Sequence, residues 1–199
     1  MPRTYEQNKE IKSKRKEALL SSLYMLFLKY RYDDIDISLI CDYAKIKRTL
    51  FYHYFSSKEE LFCEIYKRKI TLSYDKLISE NEENKAKFLL IELLNNIETL
   101  LKINDEEVFS SFYLYLKVDI EKISVLPPII NNKYLPLTKI LKKLIKNYVK
   151  EDDVILEDEN KIIINLLYYI YSMCLFRING NNKKNINFDA NTIFHLFFN

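Results

Sequence analysis

The segment KIKRTLFYHYFSSKEEL, residues 45–61, decides the fold because it places apolar side chains on one side of a short helix and polar side chains on the other. On a helical wheel of about 100° per residue, its large apolar side chains fall within about 140° of one another. They are Leu50, Phe51, Tyr54 and Phe55. Thr49, Tyr52 and His53 fall on the opposite side, and Lys47 and Arg48 stand at the amino end. One side therefore packs on a small core, while the other presents a hydroxyl, a phenol and an imidazole beside cations.

A second short helix is predicted immediately before this segment. Asp36 is a suitable N-cap for a helix that ends near Ala44. Its inward residues are Ile37, Ile40 and Cys41. Residues 45–47 interrupt the pattern, and the next helix runs to about Phe55. Two short helices joined by a tight turn, the second with exposed polar groups, are typical of a helix-turn-helix, whose second helix enters the major groove of DNA.

This motif supplies candidate DNA contacts. Three cations can neutralise phosphates and release counterions: Lys47, Arg48 and Lys58. Three groups can donate to phosphate oxygens or base edges: Thr49, Tyr52 and His53. Arg3, in an N-terminal arm, can reach a minor groove. An ordinary solvated surface is the alternative for Tyr52 and His53.

Charge is unevenly divided along the chain. Residues 1–70 hold 15 Lys and Arg against 10 Asp and Glu, whereas residues 71–199 hold 16 against 18. A basic N-terminal third favours an anionic partner at that end, although a solvated helix face gives the same count.

Apolar spacing predicts helices along the whole chain, and the fold class is all-α. The first helix spans about 9–30, and Ser57 and Glu60 have the spacing of a capping box that starts a helix into the late seventies. Later helices are predicted at about 86–102, 105–124, from 136, 157–178 and 189–198. The polar stretch 79–87 is the candidate boundary. The expected domains are a DNA-binding domain over 1–56, a linking helix over 57–78 and a larger helical domain over 79–199.

Composition argues against several classes of function. The single glycine, Gly180, leaves no phosphate-binding glycine loop and no nucleophile elbow. The two histidines lie far apart, and the three cysteines form no C-x-x-C pair, so no metal site of the common zinc spacings is expected. No enzyme is expected, nor any cofactor beyond a possible small-molecule effector. A polar N-terminus and an apolar run of only 166–176 predict a soluble, cytoplasmic protein without a membrane span.

Residues 11–68 resemble the N-terminal domain of the TetR family of bacterial transcriptional regulators. RTLFYHYFSSKEEL, with its aromatic tetrad followed by SKEEL, carries the resemblance. It implies a homodimer on a roughly palindromic operator, usually a repressor released by a small molecule. The DNA-facing set that it implies is Ser38, Lys47, Arg48, Thr49, Tyr52, His53 and Lys58.

Two residues depart from the family pattern. Lys45 stands where the family commonly has glycine, so a left-handed backbone there would cost about 1 kcal/mol or more. Lys47 stands where many members have serine, so an N-cap is lost and a phosphate contact is gained.

The larger domain carries no motif, and its sites follow from position in the family plan. An effector cavity could be lined by Phe109, Phe112, Tyr113, Tyr115 and Tyr168. The dimer interface could use Ile163, Leu167, Ile170, Tyr171 and Cys174. Core packing within one chain is an equal interpretation of the dimer set, and aromatic stripes of helical spacing belong to a core more often than to a cavity. The rival function is a helical adaptor or coactivator of the same fold that works through protein partners.

Overall fold

The computed structural model describes residues 4–70, 85–121, 137–153, 155–156, 158–180 and 186–198. Within these ranges the chain is all-α, as the apolar spacing predicted, with nine α-helices and no strand. The described residues form two compact units, one over 4–69 and the other from Ile70 onward.

The N-terminal unit begins with a long helix, α1 (Tyr5–Lys29). Thr4 caps it in a reciprocal capping box with Gln7, so α1 starts four residues earlier than the apolar stripe predicted. Leu19, Leu23 and Phe27 of the predicted stripe are buried, whereas Tyr30 is the exposed C-cap.

Three short helices complete this unit: α2 (Ile37–Ala44), α3 (Arg48–Phe51) and α4 (Lys58–Ile65). A π-helical turn, Tyr66–Ile70, follows α4. The core is aromatic, with the Phe62 ring 5.3 Å from that of Phe27 and 4.7 Å from that of Tyr32. Arg68 of this turn pairs with Glu17 at 2.7 Å, which connects the turn to α1.

The C-terminal unit contains α5 (Ala86–Lys102), α6 (Glu106–Ile120), α7 (Leu137–Glu151), α8 (Glu159–Gly180) and α9 (Ala190–Phe198). Helix α5 packs against α7 and α9, and α8 packs against α6 and α7. Buried Arg177 of α8 donates to the carbonyls of Leu100 and Leu101 at 3.3 and 2.8 Å. This guanidinium therefore satisfies carbonyls at the end of α5 that have no partner within the helix.

Helix α8 differs from its expected burial. An all-round apolar sequence predicted a helix covered on most sides, but Ile164 and Tyr168 are 51% and 56% exposed. By length and composition α8 also meets the criteria for a membrane span, which core helices of water-soluble proteins meet as well.

Candidate nucleic-acid interface

The turn between α2 and α3 has the left-handed backbone that a glycine would favour. Lys45 adopts φ 54° and ψ 42°. The Ile46 N–H donates to the Cys41 carbonyl at 2.9 Å, and the Lys45 N–H donates to the backbone carbonyl of Asp42 at 3.2 Å. These two hydrogen bonds form the Schellman pattern. The turn therefore contains a left-handed lysine, which is the costly case considered for this departure from the family pattern. Upstream, Asp36 caps α2 as predicted, since its carboxylate accepts from the Leu39 N–H at 2.7 Å.

Helix α3 begins without a side-chain cap and is shorter than predicted. Lys47 is the N-cap residue and makes no capping hydrogen bond, as its substitution for serine predicted. The α-helical part ends at Phe51, and the chain continues as a turn in which the His53 N–H donates to the Leu50 carbonyl at 3.2 Å.

The two faces of this segment separate as its sequence predicted. Phe51 and Phe55 are 0% and 3% exposed, and Leu50 and Tyr54 are half-buried. The exposed side carries Thr49, Tyr52 and His53, with Lys47 and Arg48 exposed at its start. A hydrogen bond from Arg48 to the Tyr52 hydroxyl raises the pKa of the guanidinium, so a positive charge and a phenol are presented together.

An open depression of about 390 Å³ lies beside this surface within the N-terminal unit. It brings together four of the predicted DNA contacts: Ser38, Arg48, Tyr52 and Lys58. The first turns of α2 and α4 also line it, and helix N-termini favour anions. The carboxylates of Asp33, Asp36 and Glu59 also line the depression, so they partly offset the positive charge of Arg48 and Lys58.

Lys58 is already engaged within the protein. Its ammonium donates to the Tyr32 carbonyl at 2.9 Å and lies 4.0 Å from the centre of the Tyr32 ring. An ammonium has three N–H donors, so a phosphate would bind only those that the carbonyl leaves.

The N-terminus of α4 has a modified capping box. The Ser57 hydroxyl accepts from the Glu60 N–H at 3.2 Å, as predicted. The Glu60 carboxylate instead accepts from the N–H and hydroxyl of Ser56, at 2.6 and 2.7 Å. These hydrogen bonds lower the pKa of Glu60. Ser56 was not among the predicted site residues, although the paired serines before KEEL were a signal for it.

The remaining candidate residues are dispersed. Arg3 lies outside the described residues. Four of the candidate cavity residues are buried on α6: Phe109, Phe112, Tyr113 and Tyr115. Tyr168 is exposed on α8 and does not line the interior. The Tyr113 ring stacks on Tyr171 at 5.7 Å with the two hydroxyls 3.4 Å apart.

The candidate dimer residues require a correction. Ile163, Leu167, Ile170 and Cys174 are at most 5% exposed in a single chain, so core packing accounts for them. Burial correspondingly raises the pKa of the Cys174 thiol. Only Tyr171 of that set is half-exposed.

A different apolar seam of α8, exposed or half-buried along its length, shares only Tyr171 with that set. Its members are Ile164, Tyr168, Tyr171, Leu175 and Ile178. Successive members are spaced alternately by four and three residues, the spacing of a coiled-coil contact.

Among the described residues, no group of three or more His, Cys, Asp or Glu side chains could hold a metal ion.

The comparisons with known proteins agree with this architecture. Residues 17–65 match the family described as bacterial regulatory proteins, tetR family, which confirms the resemblance for this segment. No curated protein matches the chain.

Similar solved structures share the fold across both units. A putative fatty acid metabolism regulator of Clostridium perfringens is 18% identical, with 90% of this chain and 96% of that chain covered and a TM-score of 0.58. A putative tetR family regulator of Shewanella sp. PV-4 is 15% identical, with coverage of 92% and 95% and a TM-score of 0.57. NalD, the secondary repressor of the MexAB-OprM multidrug efflux pump of Pseudomonas aeruginosa, is 15% identical, with coverage of 94% and 96% and a TM-score of 0.54. The fold is that of TetR-family transcriptional regulators.

Proposed function

We propose that this chain, whose fold is that of the TetR family, is a sequence-specific DNA-binding transcriptional regulator of the cytoplasm. It would act as a homodimer on a roughly palindromic operator, as a repressor released by a small-molecule effector. The observation that carries the proposal is the exposed polar side of the segment after Lys45, whose opposite side is locked into the core by Phe51 and Phe55.

Each element of that surface suits a different part of DNA. Lys47 and Arg48 supply exposed positive charge for phosphates, a contact that gives affinity without reading sequence. Tyr52 and His53 combine polar atoms with apolar ring surface, which suits base edges and thymine methyl groups. Because Phe51 and Phe55 are buried, core packing, rather than a long helix, fixes the positions of the Tyr52 and His53 rings.

The dimer would form through the seam on α8. Ile164 and Tyr168 are more than half exposed. Leu175 is half-buried and continues the same line. Burying large apolar side chains of this kind against an identical copy is favourable, at about 25 cal/mol per Å². Two-fold symmetry of the dimer would then match a palindromic operator.

An effector would bind on the α6 side of the C-terminal unit. Phe109 and Phe112 provide buried apolar surface there, and the Tyr113–Tyr171 hydroxyl pair provides polar atoms. Lys117 is 3% exposed and pairs with Glu121 at 3.6 Å. This combination suits a mostly apolar ligand with one polar or anionic group.

The proposal is tested by selecting bound sequences from a random DNA pool and measuring affinity for the winner at several salt concentrations. A two-fold symmetric winner is expected, with affinity that falls steeply as salt is added. Tyr52→Ala and His53→Ala should each abolish selective binding. Tyr43→Ala is the matched control, because Tyr43 is 47% exposed on α2 and lies outside the depression. A pool that stays random would refute the regulator and favour the adaptor.

A further inference from the structure

Helix α7 carries a stripe of five exposed lysines, which we call the lysine stripe: Lys139, Lys142, Lys143, Lys146 and Lys150. At about 100° per residue these side chains fall within about 100° of one another on the helix. The buried side of α7 is formed entirely by the predicted core positions from Leu137 to Tyr148. The stripe is therefore a band of exposed lysines that extends about 16 Å along α7, at about 1.5 Å of rise per residue.

Among the described residues, no acidic side chain forms an ion pair with this stripe. The only carboxylate on α7 is Glu151, which accepts the Ala86 N–H at 2.8 Å. Other helices differ, since Lys14 of α1 pairs with Glu10 and Lys102 of α5 pairs with Glu98, each at 2.6 Å.

The spacing of the stripe makes its charges repel one another. Lys142 and Lys146 are four residues apart, as are Lys146 and Lys150, and like charges at this spacing destabilise a helix. The concentration of charge is local, because residues 71–199 as a whole hold more acidic than basic residues, 18 against 16. A bound polyanion would relieve the repulsion and release the counterions that the stripe attracts.

The composition of this surface selects among polyanions. No large apolar side chain of α7 is exposed. A helix that inserts into a membrane interface needs such residues, and protein interfaces are depleted of lysine and enriched in aromatic side chains. A band of lysines alone suits the regularly spaced phosphates of a nucleic-acid backbone.

We propose that the lysine stripe is a second DNA site that binds the phosphate backbone of duplex DNA without reading its sequence. It belongs to the C-terminal unit, so it does not depend on the operator surface around α3. A protein with both sites can hold its operator and capture a second duplex segment.

The test compares two pairs of substitutions that change the net charge equally. Lys142→Gln with Lys146→Gln removes two charges from the stripe, and Lys87→Gln with Lys161→Gln removes two exposed charges elsewhere in the same unit. Binding to a non-operator duplex is measured by fluorescence anisotropy over a range of salt, in a Tyr52→Ala background. The stripe pair should lower the log–log salt slope by about 1.8, at about 0.9 per phosphate contact, and the control pair should leave it unchanged.

Every other outcome overturns the site. Equal losses from both pairs would mean that the stripe acts only through the net charge, and no loss from either pair would mean that the stripe does not contact the DNA backbone. Vesicles of phosphatidylserine and phosphatidylcholine provide the second measurement. If the stripe pair lost vesicle binding and kept the DNA salt slope, the partner would be an anionic membrane. Failure of operator selection leaves this test intact, because the duplex is non-operator and the phosphate contacts of Lys47 and Arg48 are the same in every variant compared. Lys139→Gln with Lys143→Gln must reproduce the result of the first stripe pair.

Discussion

Replacing Lys45 by glycine should stabilise the protein, because glycine is the residue that best tolerates a left-handed backbone after a helix. Lys45 holds φ 54° and ψ 42°, where the Cβ of an L-residue approaches its own carbonyl oxygen. The side chain is exposed and forms no ion pair among the described residues, so its removal sacrifices no contact. The Schellman hydrogen bonds of Ile46 and Lys45 use backbone atoms only and would remain.

The magnitude follows from two opposing terms. Removing the Cβ relieves a left-handed cost of about 1–2 kcal/mol. Glycine also enlarges the unfolded ensemble, which costs about 0.4–1 kcal/mol. The free energy of unfolding should therefore rise by about 0.5–1 kcal/mol. For a chain of this size the melting temperature should rise by about 1–4 °C, since 1 kcal/mol corresponds to about 2–4 °C.

Urea unfolding is the assay, and two control variants identify the cause. Lys47→Gly changes the same residue type two positions later, at φ −62° and ψ 138°, an extended backbone that any residue adopts. There only the entropic term applies, so stability should fall by about 0.4–1 kcal/mol. Lys45→Ala keeps the Cβ and should change little. The reasoning fails if Lys45→Gly lowers the urea midpoint, or if Lys45→Ala raises it as much as glycine does.

Three further substitutions have outcomes that follow from the exposure of a side chain or from the lowered pKa of Glu60. Tyr52→Ala should abolish operator binding. The free energy of unfolding should change by less than about 0.5 kcal/mol, because the ring is half exposed. A loss of about 2 kcal/mol or more would instead mark Tyr52 as a packed residue. Ile164→Glu should convert the dimer to a monomer, as measured by light scattering. Asn165→Glu, at the exposed neighbouring position, should leave the dimer intact. Monomers from both variants, or from neither, would contradict the α8 seam as the dimer interface. Glu60→Gln should lower thermal stability at pH 7, because the lowered pKa of Glu60 means that the folded state favours its charged form. The difference should persist above the ordinary pKa of 4.5 and vanish as the pH falls through the lowered value; a pH-independent difference would refute the role of Ser56.

The N-terminal unit was predictable because its signals agree with one another. Asp36 stands directly before an apolar run and Ser57 has the capping-box spacing to Glu60, and each caps the helix that it was predicted to start. Phe51 and Phe55 fall on one side of a short segment that has only one apolar face, so the pattern allows a single orientation. The end of α3 was less predictable, because the chain leaves the α-helix after Phe51 without a proline or glycine to mark the change.

The faces of α8 could not be assigned from sequence for the opposite reason. Ile163 and Ile164 are adjacent and identical, and each begins an apolar stripe of helical spacing. Ile163 is 1% exposed and Ile164 is 51% exposed, because α6 and α7 pack on the first stripe. Periodicity identifies a helix and its apolar faces, but only tertiary contacts decide which of two equivalent faces is covered.

Glycine is scarce in this chain, so other residues occupy the left-handed backbone positions, including the one in the turn between α2 and α3. The only glycine, Gly180, ends α8 without a positive φ, while the left-handed positions of the described residues are taken by Lys45 and Asp153. Aspartate tolerates that region because its short side chain can bond to nearby backbone, but lysine has no such compensation. The strain at Lys45 persists because buried Cys41 and Phe51, on either side of the turn, hold α2 and α3 in place. Packing of the small core, rather than the turn residue, therefore sets the angle at which α3 presents Tyr52 and His53.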